Sequence, residues 1–112
     1  MNHKKTNNRI FKILDIFGDD LSKKRAVTHW FYFEEFDKLE QFESYANDIG
    51  FDTMHKDLNL KNAVSNKLLL LLVHLEKPNP NQIDFDTFNF FDIAPKYNGV
   101  YDGWETSVEF DS

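Results

Sequence analysis

Few residues in this sequence have both the type and the spacing that chemistry requires. His29 and His74 each stand in an apolar stretch, Val27-Thr28-His29-Trp30-Phe31 and Leu71-Leu72-Val73-His74-Leu75. Two imidazoles can begin a metal site, but such sites need three or four ligands at characteristic spacing, and no third ligand accompanies this pair. We therefore expect no metal and no cofactor. Asp102, Glu105 and Glu109 crowd the final stretch. Strand alternation places Glu105 and Glu109 on one face and Asp102 on the other, unless Gly103 makes a bulge and re-aims them, which is poor geometry for general acid–base work. There is no glycine-rich phosphate loop, no serine nucleophile elbow and no His-Glu-x-x-His. The complete lack of cysteine excludes a disulfide scaffold, a zinc ribbon and a thiol nucleophile. No enzyme and no catalytic residue are expected. What remains is aromatic: Trp30 and Tyr32 alternate onto one strand face, and Trp104 stands between Asp102 and Glu105. Two readings stay open: Tyr101 and Trp104 pack in or against the sheet while Asp102-Gly103 makes a bulge, or Trp30, Tyr32, Asp102, Trp104 and Glu105 form a partner-binding patch, since aromatic rings beside charge are favoured anchors for protein surfaces.

The elements that must position these residues follow from periodicity. Ile10, Ile13, Leu14 and Phe17 make a short helical stripe over residues 7–17, too short to be stable alone and therefore in need of a surface. β-branched and aromatic residues predict a central strand over 25–33. A helix over 35–48 carries Phe36, Leu39, Phe42 and Ala46 on one face, with Gly50 after it as a left-handed terminator. Residues 51–56 alternate as an edge strand, and 57–66 are polar and aperiodic, hence a loop. The run Leu68-Leu69-Leu70-Leu71-Leu72-Val73 predicts a buried strand over 67–76. Pro78-Asn79-Pro80-Asn81 predicts a turn, which delays the second helix to about 84–97, with Pro95 kinking or ending it early. Asn98-Gly99 turns the chain into a last strand over 100–110, in which Gly103 suggests a bulge.

Strand, helix, strand, strand, helix, strand is the order of the α+β ferredoxin-like fold. It predicts four antiparallel strands in spatial order 4-1-3-2, with two helices on one face, plus the short N-terminal helix. The second sheet face then needs a cover, for which the leader helix, another copy of the chain and a partner protein are the alternatives.

Length and charge set the remaining bounds. At 112 residues the chain is one domain's worth, divided here as a leader (1–24) and a body (25–112). The net charge of −6 is unevenly placed, with +4 on residues 1–25 and −10 on the rest. Such a body repels nucleic acid and attracts basic protein surfaces. The longest wholly apolar run, residues 68–73, is far short of a membrane helix, and the Met-Asn-His-Lys-Lys start lacks a secretory apolar region, so a cytoplasmic protein without membrane contact is expected. An RNA-binding sheet of this class would show basic and aromatic residues on its third strand, and here that strand is aliphatic. A nucleic-acid module built on Trp30, Tyr32 and the basic leader stays open as an alternative, as does a homodimer.

The stretch Tyr97-Asn98-Gly99-Val100-Tyr101-Asp102-Gly103-Trp104-Glu105-Thr106 resembles the closing motif of the regulator of ribonuclease E activity B (RraB) family. Gly18-Asp19-Asp20-Leu21-Ser22-Lys23 leading into His29-Trp30-Phe31-Tyr32-Phe33, and a helix ending at Gly50-Phe51, extend the resemblance over about residues 17–110. It implies a ferredoxin-like fold and a non-enzymatic inhibitor that binds ribonuclease E and slows RNA decay. The characterised inhibitors carry acidic terminal segments, whereas this sequence opens on basic residues. On this resemblance the expected partner is a protein, ribonuclease E.

Overall fold

The nine residues Arg25–Phe33 (β1) build the centre of the sheet, because their β-branched and aromatic side chains pack well on a pleated surface. The computed structural model describes residues 3–58 and 68–110. In chain order the elements are α1 (His3–Ile16), β1, α2 (Phe36–Asp48), β2 (Asp52–Asp57), β3 (Leu68–Glu76), α3 (Pro80–Ile93), a 3-10 turn (Ala94–Tyr97) and β4 (Gly99–Thr106). The protein is α+β, with one open four-stranded sheet of order β2-β3-β1-β4. Every neighbouring pair is antiparallel. Read from the other edge, this is the expected 4-1-3-2.

One face of the sheet is dry. Val27, His29, Phe31 and Phe33 of β1 are buried, as are Leu70 and Leu72 of β3 and Tyr101 of β4. The Phe31 ring meets Phe42 of α2 at 4.8 Å, Phe90 of α3 at 5.2 Å and Tyr101 at 4.8 Å. Both helices thus bury their apolar stripes against the same strand residue. Tilted and edge-on aromatic pairs like these add about 0.5–1.5 kcal/mol each beyond their area burial. The other sheet face carries Thr28, Trp30 and Tyr32 of β1 beside Leu69, Leu71 and Val73 of β3, all half-buried. Met54 on β2 and Val100 on β4 extend it, 63% and 62% exposed.

Several expectations need correction. α1 starts at His3 rather than residue 7, and it does not cover the second sheet face. It packs on α3 instead, where Leu14 is buried. α3 starts at Pro80, four residues before the expected 84. Proline lacks only an N–H that the first helical turn leaves unpaired anyway, and the Asn79 side chain accepts from the Asn81 and Gln82 N–H groups at 2.9 and 3.1 Å. The helix therefore begins inside what reads as a turn. Its end agrees better: α3 stops at Ile93, and Pro95 lies in the 3-10 turn. β2 runs one residue later than expected. β4 stops at Thr106, and beyond it only an isolated bridge joins Phe110 to Asp19. The expected loop over 57–66 lies, past Leu58, outside the described residues, as does Lys67.

Candidate functional site

The five residues singled out by sequence do not share a surface. Trp30 stands opposite Leu71 on β3 and Gly103 on β4, and Tyr32 opposite Leu69 and Val100. Glu105 lies opposite Thr28 on that same open face. Trp104 is opposite His29 and belongs to the helix side. The cause is a bulge: the β1–β4 register shifts between Trp30 and Phe31, leaving Asp102 as the extra residue and Gly103 at φ 126°. One inserted residue reverses the facing of everything after it. Tyr101 and Trp104 both face the helices in consequence, and Asp102 is exposed at the bulge.

Trp104 anchors α1. Its indole N–H donates to Asn7 Oδ1 at 2.9 Å, and its ring lies 5.9 Å from Phe11. Asn7, only 2% exposed, uses its amide to donate to Asp84 Oδ1 at 3.0 Å and to Thr87 Oγ1 at 2.9 Å. A small cavity of about 210 Å³, lined in part by Ile10, Phe91 and Trp104, remains beneath this junction. The Gly18-Asp19-Asp20 segment is equally structural. Asp19 Oδ1 accepts from Arg25 Nη1 at 2.5 Å and from the Glu109 N–H at 2.7 Å. Arg25, itself buried, also donates to the carbonyls of Asp20, Lys23 and Ser107.

The helix side holds a second feature. A groove of about 1060 Å³ opens between the C-terminal end of α2 and the N-terminal end of α3. Phe51 and Phe90 line it, and His74, Glu76 and Asp86 stand in it. His74 Nδ1 and Glu76 Oε1 are 3.2 Å apart, and Gln82 donates to Asp86 Oδ1 at 3.0 Å. Burial raises both carboxyl pKa values above the ordinary range, and the Asp86 charge adds to the rise at Glu76. Below lies His29, fully buried and 2.8 Å from the Tyr101 hydroxyl through Nδ1. Burial, with His74 as a smaller contributor, pushes the His29 pKa down to about 3. Burial pushes the Tyr101 hydroxyl up. Among the described residues no cluster of three His, Asp or Glu has the arrangement of a metal site, and no helix is long and apolar enough to cross a membrane.

Sequence reasoning passed over Asn7, Glu76 and Asp86. The signal for two of them was present as polar residues inside apolar helical stripes: Asn7, Ile10, Phe11, Leu14 and Ile83, Asp86, Thr87, Phe90 share the spacing three, one, three. A polar side chain kept in such a stripe is hydrogen-bonded or functional.

A search of the curated proteins finds no match. A family model described as regulator of ribonuclease activity B matches residues 4–106, which takes in α1, the sheet and the Trp104 anchor together. On that match, the chain belongs to the RraB family.

Proposed function

We propose that this protein is a non-enzymatic regulator that acts by protein–protein contact, and that its target is a ribonuclease of the ribonuclease E type. The single observation that carries the reading is the apolar face of the sheet that no helix covers among the described residues, with Trp30, Leu71 and Val73 at its centre and Met54 and Val100 exposed beside them. A contiguous apolar patch of this kind on a charged protein is the usual mark of an interface. We commit to a partner surface with an apolar centre and a basic rim, because residues 26–112, which contain the patch, carry −10. The family's own description, regulator of ribonuclease activity, supports a nuclease as that partner. In this reading the four strands with α2 and α3 form a ferredoxin-like body, and α1 is an added helix. Trp30, Tyr32 and Glu105 belong to the docking face, whereas Trp104 holds α1.

The nucleic-acid alternative loses ground on placement. Lys5, Arg9 and Lys12 lie on α1, which packs on α3, away from the Trp30 and Tyr32 rings they would have to assist. A homodimer through the open face would bring two acidic bodies together, an arrangement that charge opposes.

The test is direct. Purified protein is mixed with ribonuclease E, and both complex formation and RNA cleavage are followed. Wild type should bind and slow cleavage. The double variant Met54→Glu, Val100→Glu should lose binding at least about tenfold while its melting temperature stays within a few degrees, both sites being exposed. A wild-type protein that neither binds nor slows the nuclease, or that light scattering shows to be a dimer closed through this face, would sink the reading.

A further inference from the structure

The groove on the helix side is built for something the open face does not explain. Its floor is aromatic: Phe51 and Phe90 stand 5.6 Å apart, and Phe51 meets the His74 ring at 5.6 Å. Phe85 at the rim is 66% exposed. Two carboxylates enter the same space. The Glu76 side chain is only 11% exposed, and its one hydrogen-bond partner among the described residues is the exposed His74. Asp86 has one oxygen held by Gln82. Acids that share one groove largely out of water are relieved by a cation.

Beneath the floor lies a buried imidazole with one nitrogen unpaired among the described residues. His29 is fully buried, and its Nε2 has no hydrogen-bond partner among the described residues. Its ring packs on Phe90 at 4.9 Å and on Phe51 at 5.8 Å, the two floor rings. Nδ1 is turned to Tyr101 on the β4 side, and Nε2 lies across the ring from it. Orphaned polar atoms under a cavity point to a missing ligand. An anion is the wrong ligand. The N–H groups that α3 would offer at Asn81 and Gln82 are already taken by Asn79, and two carboxylates would repel it.

We propose that this groove binds an arginine side chain presented by a basic polypeptide segment of a partner. The planar guanidinium stacks on the aromatic floor, and its fork of N–H donors reaches Glu76 and Asp86 together, which a lysine ammonium does less well. At about 1060 Å³ the groove is larger than one side chain needs, so the residues flanking the arginine lie in it too. Lys77, exposed at the rim, is the one lysine or arginine among the described residues that lines the groove. The proposal is independent of the open-face reading, because the two surfaces lie on opposite sides of the sheet.

The test uses the full chain and a capped seven-residue peptide with three arginines separated by glycines, titrated under backbone-amide NMR. Shifts should concentrate at Phe51, His74, Gln82, Asp86 and Phe90. The peptide with lysine in place of arginine should bind several-fold more weakly. Glu76→Gln with Asp86→Asn should weaken binding about tenfold or more, and Lys77→Glu should strengthen it. Neutralising exposed Asp37 and Glu40 on α2 controls for plain surface charge, and thermal melts confirm that each variant is folded. Shifts scattered over the acidic surface, equal losses in the α2 control, or no binding at all would overturn the proposal. None of these results bears on ribonuclease binding through Met54 and Val100, so either proposal can fail alone.

Discussion

His29 is the residue on which acid stability turns. Its ordinary pKa of 6.5 is pushed down to about 3 by burial among Phe51, Phe90 and Tyr101, with His74 adding to the effect. Between those two values only the unfolded chain takes up the proton. Stability is therefore full above pH 6.5 and declines by on the order of 1 kcal/mol per pH unit as the pH falls toward 3. Glu76 and Asp86, whose pKa values are raised, act the other way: protonation favours the folded state, so they flatten the decline in the carboxylate range. Urea unfolding from pH 7.5 to 4 should show a steeper loss for wild type than for His29→Gln. Parallel curves would mean that the titrating group lies elsewhere. None of this was legible in the sequence, where His29 and His74 looked alike. Only packing buries one and leaves the other exposed.

At the scale of elements, β4 shows what pattern reading can and cannot reach. The motif glycines have separate tasks. Gly99 lets the strand lie against Phe33: a Cβ there would stand 2.8 Å from the ring Cζ and closer still to Cε1. Gly99→Ala should thus lose about 1–3 kcal/mol in denaturant unfolding, since the ring is itself buried against Phe42. An unchanged midpoint would show that Phe33 has room to move. Gly103 makes the bulge. Its presence was readable, but its effect was not, because Tyr101 and Trp104 are three apart and strict alternation assigns them to opposite faces. The bulge returns both to one face, which is why Trp104 was grouped with Trp30 and is found beside Asn7. Strand order and β1 were legible, since element order and composition specify them locally. The start of α3 was hidden because proline and asparagine mark both turns and helix beginnings.

Viewed whole, the molecule is asymmetric in both charge and cover. Helices clothe one side of the sheet and leave the other apolar among the described residues, and residues 26–112 carry −10 against +4 on residues 1–25. Charge of that kind acts over distance and governs encounter more than residence. Association with the nuclease proposed as partner should accordingly slow several-fold when salt rises from about 0.05 to 0.3 M, as the screening length shrinks, with little change in dissociation. Surface-based kinetics would show this, and a dissociation rate that carries the whole salt effect would contradict it. Knowing the division of charge did not single out the open face, because sequence cannot say which face a helix leaves bare.

Asp19 has a quieter role with a larger reach. The same carboxylate oxygen receives Arg25 from the first strand and the Glu109 N–H from the segment beyond the last one, while Lys23 donates to the Phe110 carbonyl. Residues 18–25 and 107–110 are thereby clasped to each other. Neither can peel off without stripping a partner from the other, so they fray as a single unit. A protease would find two susceptible loops there only when both are open at once, which makes the clasp a guard on the chain's lifetime rather than on its activity.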